Sequence, residues 1–415
     1  MKKFINVRRK GCKTPVEILV KDGMFEKIAP KIEAECEIID LEGNIVIPPY
    51  VDPHMHLDYV YTANLGTQNG SGTLFEGIQR WSEQKEHLSI EEVKSRAIRG
   101  IQSEMKHGVQ YIRTHVDVTE PNLTALKALL EVKEEVKDVV ELQLVAFPQE
   151  GIYAYPRGDE LMEEAMKMGA DCVGGIPHYE LAREFGEKSI HKIVELAVKY
   201  DRLIDVHCDE TDDVQSRFLE LLNALVLIEG IGNKTTASHT CSFGSADNSY
   251  AYRMMKLLKR SGINFVSCPT ENIFLQGRQD TYPKRRGITR VKELHEEGIN
   301  VCFAQDSMSD PWYPLGTGSM IHILDHGLHI AQMISPENIE NALDFVTING
   351  AKAMNLEHTY GIEEGKDANF IVLDAKNEFD AIAQRAGTLM SIHRGEYLFE
   401  MEPAKMKQQN SIFMR

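Results

Sequence analysis

The stretch Val51-Asp52-Pro53-His54-Met55-His56 closes an apolar run that begins at Asn44. Side chains alternate along a strand, so the two histidines project from one face at the C-terminal end of a predicted strand. Two neutral imidazoles side by side suit a divalent transition metal such as zinc or iron. An H-x-H pair also occurs as a solvated or structural feature, so the rest of the chain must supply further ligands at equivalent positions.

A regular alternation of strands and helices follows this stretch. Several of the strand-like runs are almost entirely apolar, as in a parallel sheet covered on both faces. The predicted strands cover residues 45–52, 109–117, 140–148, 172–178, 203–210, 234–240, 264–269 and 300–307. Eight such repeats predict a (β/α)₈ TIM-type barrel. An open doubly wound sheet is the alternative, but no G-x-G-x-x-G motif follows a strand.

Both ends of the chain carry short strand signals instead. Turn-forming Asp22-Gly23 and Gly43-Asn44 follow strand-like runs near the N-terminus, and Arg394-Gly395 divides two more near the C-terminus. We therefore predict a small β-sandwich domain formed by residues 1–46 and 352–415. The catalytic, metal-dependent barrel is predicted to cover residues 47–351.

Composition restricts the class of protein. The chain has 415 residues and a formal net charge of −17, so we expect neither nucleic acid nor a membrane surface as a partner. Met1-Lys2-Lys3 is basic, but no apolar signal segment follows it, and no window is apolar enough to span a membrane. The seven cysteines contain no C-x-x-C pair. We expect a cytoplasmic protein with reduced thiols.

Polar residues fall at the C-terminal ends of the predicted strands, where TIM barrels build their active sites. These residues are His54, His56, Gln149, Glu150, His207, Glu210, His239, Asp306 and Ser307. His54, His56, His207 and Asp306 can hold one divalent metal with nitrogen and oxygen donors and leave a position for water. A metal in that position lowers the pKa of the water toward neutrality.

The neighbouring polar side chains can move protons. Asp306 can accept the proton of the water, and Glu210 can carry a proton between the nucleophile and the substrate. His239 can hydrogen-bond the attacking oxygen and stabilise charge. We expect His115, at the end of strand two, to support the ligands from behind, and His178 to be structural.

Five longer runs resemble the amidohydrolase superfamily and, more narrowly, bacterial cytosine deaminases. They are S-G-T-L-F-E-G at 71–77, V-A-F-P-Q-E-G at 145–151, D-V-H-C-D-E at 205–210, Y-P-K-R-R-G at 282–287 and D-P-W-Y-P-L-G at 310–316. The resemblance implies a hydrolytic deaminase of a free pyrimidine base that forms a homo-oligomer. It implies one Fe²⁺ or Zn²⁺ ion, bound by His54, His56, His207 and Asp306.

The resemblance also implies how the base is held. Gln149 would read the ring carbonyl and the adjacent N–H through its amide, which offers a donor and an acceptor. Glu210 would protonate the ring nitrogen. Leu74, Phe147 and Trp312 would shape an apolar slot around the base.

One departure from the family bears on the substrate. In the cytosine deaminases a second Asp directly follows the metal-binding one and borders the C5 edge of the base, whereas here Ser307 follows Asp306. The smaller, uncharged Ser307 makes 5-methylcytosine, which would give thymine, a leading substrate. Cytosine, isocytosine or another aminopyrimidine-like ring are alternatives. A cyclic-amide hydrolase and a catalytically inactive binding protein are less favoured, and the absence of lysine from residues 172–178 counts against the hydrolase.

Overall fold

The structure, a computed structural model, describes residues 1–12 and 14–404. The strands are β1 (Lys2–Arg9), β2 (Val16–Lys21), β3 (Met24–Ala29), β4 (Glu37–Asp40), β5 (Ile45–Ile47), β6 (Tyr50–Met55), β7 (Val109–Asp117), β8 (Glu141–Phe147), β9 (Cys172–Gly175), β10 (Leu203–Cys208), β11 (Thr235–His239), β12 (Asn264–Ser267), β13 (Val301–Phe303), β14 (Phe370–Leu373), β15 (Thr388–His393) and β16 (Glu396–Glu400).

The α-helices are α1 (Leu74–Lys85), α2 (Ile90–Met105), α3 (Thr124–Val136), α4 (Gly158–Met168), α5 (Arg183–Tyr200), α6 (Phe218–Glu229), α7 (Cys241–Ser245), α8 (Asn248–Ser261), α9 (Pro269–Leu275), α10 (Val291–Glu296), α11 (Met320–Ile330), α12 (Pro336–Glu340), α13 (Ile348–Ala353) and α14 (Glu378–Ala383). Short 3₁₀ helices occur at Pro177–Tyr179, Gly232–Lys234 and Ala342–Val346. The chain divides into two units, Pro49–Tyr360 and the two flanking segments. Within the described residues, no helix is both long and apolar enough to cross a bilayer.

Pro49–Tyr360 forms the barrel. Strands β6 to β13 pair in chain order, and every pairing is parallel. The sheet closes where Met55 bridges Asp306, and the Asp306 N–H donates to the His54 carbonyl at 2.8 Å. All residues of β6, β7 and β13 are buried, as expected for strands covered on both faces. The predicted TIM-type barrel is therefore confirmed.

Two barrel strands are shorter than the sequence predicts. β9 ends at Gly175, because Pro177 has no N–H for a strand ladder and begins a 3₁₀ helix. β13 ends at Phe303, and Asp306 beyond it has a left-handed backbone with a φ of 69°. The left-handed turn ends the extended conformation before the last predicted residues.

The second unit contains both ends of the chain. Its strands follow the order β16-β15-β14-β5-β1-β2-β3, and β4 pairs with β1. Phe4, Phe25 and Phe370 are buried in its core, and the rings of Phe4 and Phe370 meet edge to face with centroids 4.9 Å apart. The predicted small β-sandwich formed by the two termini is confirmed.

Candidate metal and substrate site

The candidate metal ligands meet at the C-terminal ends of the barrel strands. His54 lies in β6, His56 follows it, and His207 lies in β10. Nε2 of His207 is 3.2 Å from Nε2 of His54 and 3.1 Å from Nε2 of His56. Oδ1 of Asp306 is 3.6 Å from Nε2 of His54 and 3.4 Å from Nε2 of His56.

These separations match those of ligands that share one metal ion. Donor atoms bound at about 2.0–2.2 Å in a tetrahedron lie about 3.2–3.6 Å from one another. Hydrogen bonds alone do not explain the arrangement, because Nε2 of His207 faces two imidazole nitrogens and has only one proton or lone pair to share. The four side chains therefore fit a single divalent ion.

His239 is a second candidate for one ligand position. The ligand atoms of His54, His207, His239 and Asp306 also lie within 4.8 Å of one another. Nδ1 of His239 is 3.8 Å from the nearer oxygen of Asp306, whereas Nε2 of His56 is 3.4 Å from that carboxylate. The shorter separation favours His56 as the ligand and leaves His239 beside the metal position.

A buried hydrogen-bond chain behind His54 sets its tautomer. The Ser238 hydroxyl donates to Oδ1 of Asp205 at 2.6 Å, so its oxygen accepts from Nδ1–H of His54 at 3.0 Å. Arg113 donates to the other oxygen of Asp205 at 2.9 Å. A proton on Nδ1 leaves the Nε2 lone pair of His54 available for a metal.

Aromatic contacts hold the other two imidazoles. His207 stacks on Phe147 with ring centroids 4.0 Å apart, and His56 stacks on Tyr59 with centroids 4.6 Å apart. Burial holds the pKa of His54 and the pKa of His207 well below the usual value for histidine. Both rings are therefore neutral, which is the form that binds metals.

Asn272 lies between Glu210 and His239. Its Nδ2–H donates to Oε1 of Glu210 at 3.0 Å, and its Oδ1 lies 3.4 Å from Nδ1 of His239. Nε2 of His239 has no hydrogen-bond partner among the described residues. Burial raises the pKa of Glu210 well above the usual value, and the negative charge of Asp306 acts in the same direction. A protonated Glu210 can donate to a bound ring.

The backbone at these strand ends is strained. His239 and Asp306 have φ values of 65° and 69°, in the left-handed region that costs free energy for residues other than glycine. The hydrogen bond from the Asp306 N–H to His54 helps to hold one of these conformations. Surrounding contacts must maintain strain of this kind.

A pocket with about 280 Å³ of empty space, part of it open to solvent, lies beside the metal-ligand candidates. The predicted site residues in its lining are His56, Leu74, Gln149, His207, Glu210, Asp306, Ser307 and Trp312. Gln149 is 3% exposed, and its Oε1 has no hydrogen-bond partner among the described residues. That oxygen is available to a ligand.

The other predicted site residues lie outside this lining. The rings of His54 and His239 lie next to the ring of His207, with centroids 4.5 Å and 4.8 Å away, and Phe147 stacks on His207. The apolar part of the lining therefore differs from the predicted slot. It consists of Leu74 and Trp312 together with residues that the sequence does not single out: Tyr59, Ile176 and Leu275.

The start of α1 positions two of the apolar residues. Thr73 caps the helix, because its hydroxyl oxygen accepts the Glu76 N–H at 3.2 Å. The indole N–H of Trp312 donates to the Leu74 carbonyl at 3.2 Å. A Cβ on Gly77 would lie 2.3 Å from the indole, so only glycine allows this contact. These contacts account for Thr73 and Gly77 in the S-G-T-L-F-E-G run.

Glu271 and Asn272 are not among the residues predicted from the sequence. Both lie in α9, directly after β12, and Glu271 lines the pocket. A signal was present, because the run C-P-T-E-N at 268–272 places polar residues at the end of a predicted strand. The same reasoning identified His207 and His239.

Known proteins resemble the chain over almost its whole length. The sequence model of the amidohydrolase family matches residues 37–399. N-isopropylammelide isopropyl amidohydrolase from Pseudomonas sp. (strain ADP) is 31% identical over 91% of both chains. Pterin deaminase from Rhizobium rhizogenes is 25% identical over 92% of this chain and 87% of that protein.

One solved structure is considerably more similar. It is the crystal structure of 5-methylcytosine deaminase from Klebsiella pneumoniae liganded with 5-fluorocytosine. That protein is 51% identical, and the superposition covers 98% of this chain and 99% of the other with a TM-score of 0.96.

Proposed function

Because the chain belongs to the amidohydrolase family, we propose that it is a metal-dependent hydrolytic deaminase of a free cytosine-type base. Water replaces the exocyclic amino group, which leaves as ammonia, and the ring gains a carbonyl. The observation that carries the proposal is the pocket, in which Gln149, Glu210 and Ser307 line the same cavity as His207 and Asp306. The half-identical Klebsiella protein supports it, since that protein is a 5-methylcytosine deaminase.

The donor set supports one divalent metal ion as the cofactor. One Fe²⁺ or Zn²⁺ ion would be held by His54, His56, His207 and Asp306. It would lower the pKa of a water molecule at the site toward neutrality. Asp306 would accept a proton from this water. His239, whose Nε2 has no partner among the described residues, hydrogen-bonds the attacking oxygen and stabilises the charge that develops on it.

Two residues recognise and activate the base. Oε1 of Gln149 accepts a hydrogen bond from the ring N–H, and its amide N–H donates to the adjacent carbonyl. Glu210, kept protonated by burial, donates its proton to the ring nitrogen beside the reacting carbon. It then takes the proton of the newly added hydroxyl group and passes it to the departing amine, so that ammonia leaves instead of an amide ion, and the proton held by Asp306 restores the acid form of Glu210.

The proposed substrate is 5-methylcytosine. Ser307 is 2% exposed and lines the pocket where the cytosine deaminases have a second carboxylate. A hydroxyl at this position is smaller and uncharged, so a methyl group on carbon 5 avoids both a steric clash and a buried negative charge. Unsubstituted cytosine fits the same pocket and is the second substrate.

The experiment is an ammonia-release assay with cytosine, 5-methylcytosine and isocytosine, with the metal content measured on the same sample. We expect one metal ion per chain and equal amounts of thymine and ammonia from 5-methylcytosine. Absence of ammonia from all three bases would overturn the proposal. Ring opening of a cyclic amide without ammonia release would identify a hydrolase of the alternative class.

A further inference from the structure

Glu271 is a pocket residue that the proposed reaction does not use. It is 2% exposed and lines the cavity together with Ser307. Neither of its carboxyl oxygens has a hydrogen-bond partner among the described residues. A buried polar group without a partner costs free energy, so its retention points to a partner that the chain does not supply. The cavity makes a bound ligand the source of that partner.

The other carboxyl groups around the pocket are satisfied by the chain or belong to the metal site. Asp310 accepts backbone N–H groups from Met308, Trp312 and Tyr313 at 3.0–3.2 Å. Glu210 accepts from Asn272 at 3.0 Å, and Asp306 lies among the histidines. Glu271 differs from all of them, because no hydrogen bond to its oxygens is formed among the described residues and only the nearby Ser307 side chain acts on it as a donor.

The surroundings of Glu271 favour its neutral form. Burial raises its pKa well above the usual value, the charges of Asp306, Asp310 and Glu210 act in the same direction, and the nearby Ser307 side chain opposes them in part. A neutral carboxyl group carries one O–H donor and retains acceptor capacity. The Ser307 hydroxyl can likewise donate or accept. Together they can therefore donate a hydrogen bond to a ligand hydroxyl group or accept one from it.

We propose that Glu271 and Ser307 form a polar subsite at the C5 edge of the base, which binds a hydroxyl group carried by a C5 substituent. This inference rests on the proposed function. It makes 5-hydroxymethylcytosine a substrate of the same site. Water adds at carbon 4, the bond from carbon 4 to the exocyclic nitrogen breaks, and the products are 5-hydroxymethyluracil and ammonia. No oxidant or reductant takes part.

The test compares kcat/KM for 5-hydroxymethylcytosine and 5-methylcytosine in the wild type and in Glu271→Leu. We expect the wild-type values to lie within tenfold of each other, and Glu271→Leu to lower the ratio of the hydroxymethyl to the methyl substrate at least tenfold. Glu271→Gln, which keeps a donor and an acceptor, should change this ratio less than Glu271→Leu. The matched control Glu296→Leu, on an exposed part of α10, should leave the ratio unchanged.

Folding of the variant is checked separately. Leucine removes a buried carboxyl group that has no partner, so the thermal midpoint of Glu271→Leu should be at least that of the wild type. Turnover of 5-methylcytosine without turnover of 5-hydroxymethylcytosine by the wild type would overturn the inference. A ratio unchanged in a folded Glu271→Leu would also overturn it. A wild type that deaminates no cytosine-type base would overturn the proposed function, and this inference with it.

Discussion

Two regions of the site differ in how the protein supports them. The metal floor is the set of four candidate ligands, His54, His56, His207 and Asp306. A hydrogen-bond chain positions His54, and stacked aromatic rings position His56 and His207. The substrate wall consists of Gln149, Glu271 and Ser307. In this wall, Oε1 of Gln149 and both Glu271 oxygens have no hydrogen-bond partner among the described residues.

The difference separates the generic part of the chemistry from the selective part. A ligand set fixed by its own surroundings acts on any ring that reaches it, because its geometry does not depend on the substrate. The donors and acceptors of the substrate wall that have no partner in the protein can form hydrogen bonds with a bound ligand. Rings that leave the amide of Gln149 unpaired are therefore disfavoured.

The largest expected effect comes from breaking the metal floor. His207→Ala removes the nitrogen that lies 3.1–3.2 Å from two other ligand candidates. Metal assistance contributes several kcal/mol, so we expect loss of bound metal and a fall in kcat/KM of at least about a thousandfold on every substrate. Metal analysis and ammonia release measure both. The control is His358→Ala at an exposed turn, and normal metal content in His207→Ala would contradict the assignment.

A smaller effect comes from loosening the support behind the metal floor. Ser238→Ala removes the acceptor of the His54 Nδ1–H, so the proton is free to move to Nε2 and block the ligand position. We expect a loss of about 10–100-fold in metal affinity, measured by competition with a chelator. The preference between cytosine and 5-methylcytosine should not change. Ser103→Ala on α2 is the control, and unaltered metal affinity in Ser238→Ala would disprove the proposed tautomer.

The barrel and the meeting of the four candidate ligands at one edge of it could be predicted from the sequence, because both depend on local patterns. Strand alternation places His54 and His56 on one side of β6, and the C-terminal ends of parallel strands meet at one edge of a barrel. The same logic brings His207 and Asp306 to that edge. The close resemblance to cytosine deaminases is supported by the 51% identity to the Klebsiella enzyme.

The parts that could not be predicted depend on contacts between distant segments. The start of α6 is one example: the helix begins at Phe218, because the Asp209 carboxylate accepts the N–H groups of Phe218 and Leu219. The position of Phe147 behind His207 depends on how two side chains pack. The unpartnered state of Glu271 can be recognised only when its neighbours in three dimensions are known.

The substrate wall is tested by Ser307→Asp, which restores the carboxylate found in the cytosine deaminases. The presence or absence of one methyl group in a pocket changes the free energy of transition-state binding by about 1–3 kcal/mol, which changes kcat/KM by about 10–200-fold. We expect the ratio of kcat/KM for 5-methylcytosine to kcat/KM for cytosine to fall at least about tenfold. The metal content should remain one ion per chain, since the floor is unaltered.

The most direct measurement is therefore this pair of kcat/KM values, determined side by side for the wild type and Ser307→Asp. We expect the wild type to prefer 5-methylcytosine and the variant to shift toward cytosine with its metal retained. A strong wild-type preference for unsubstituted cytosine, or a ratio that is the same in both proteins, would contradict the assignment of substrate choice to Ser307.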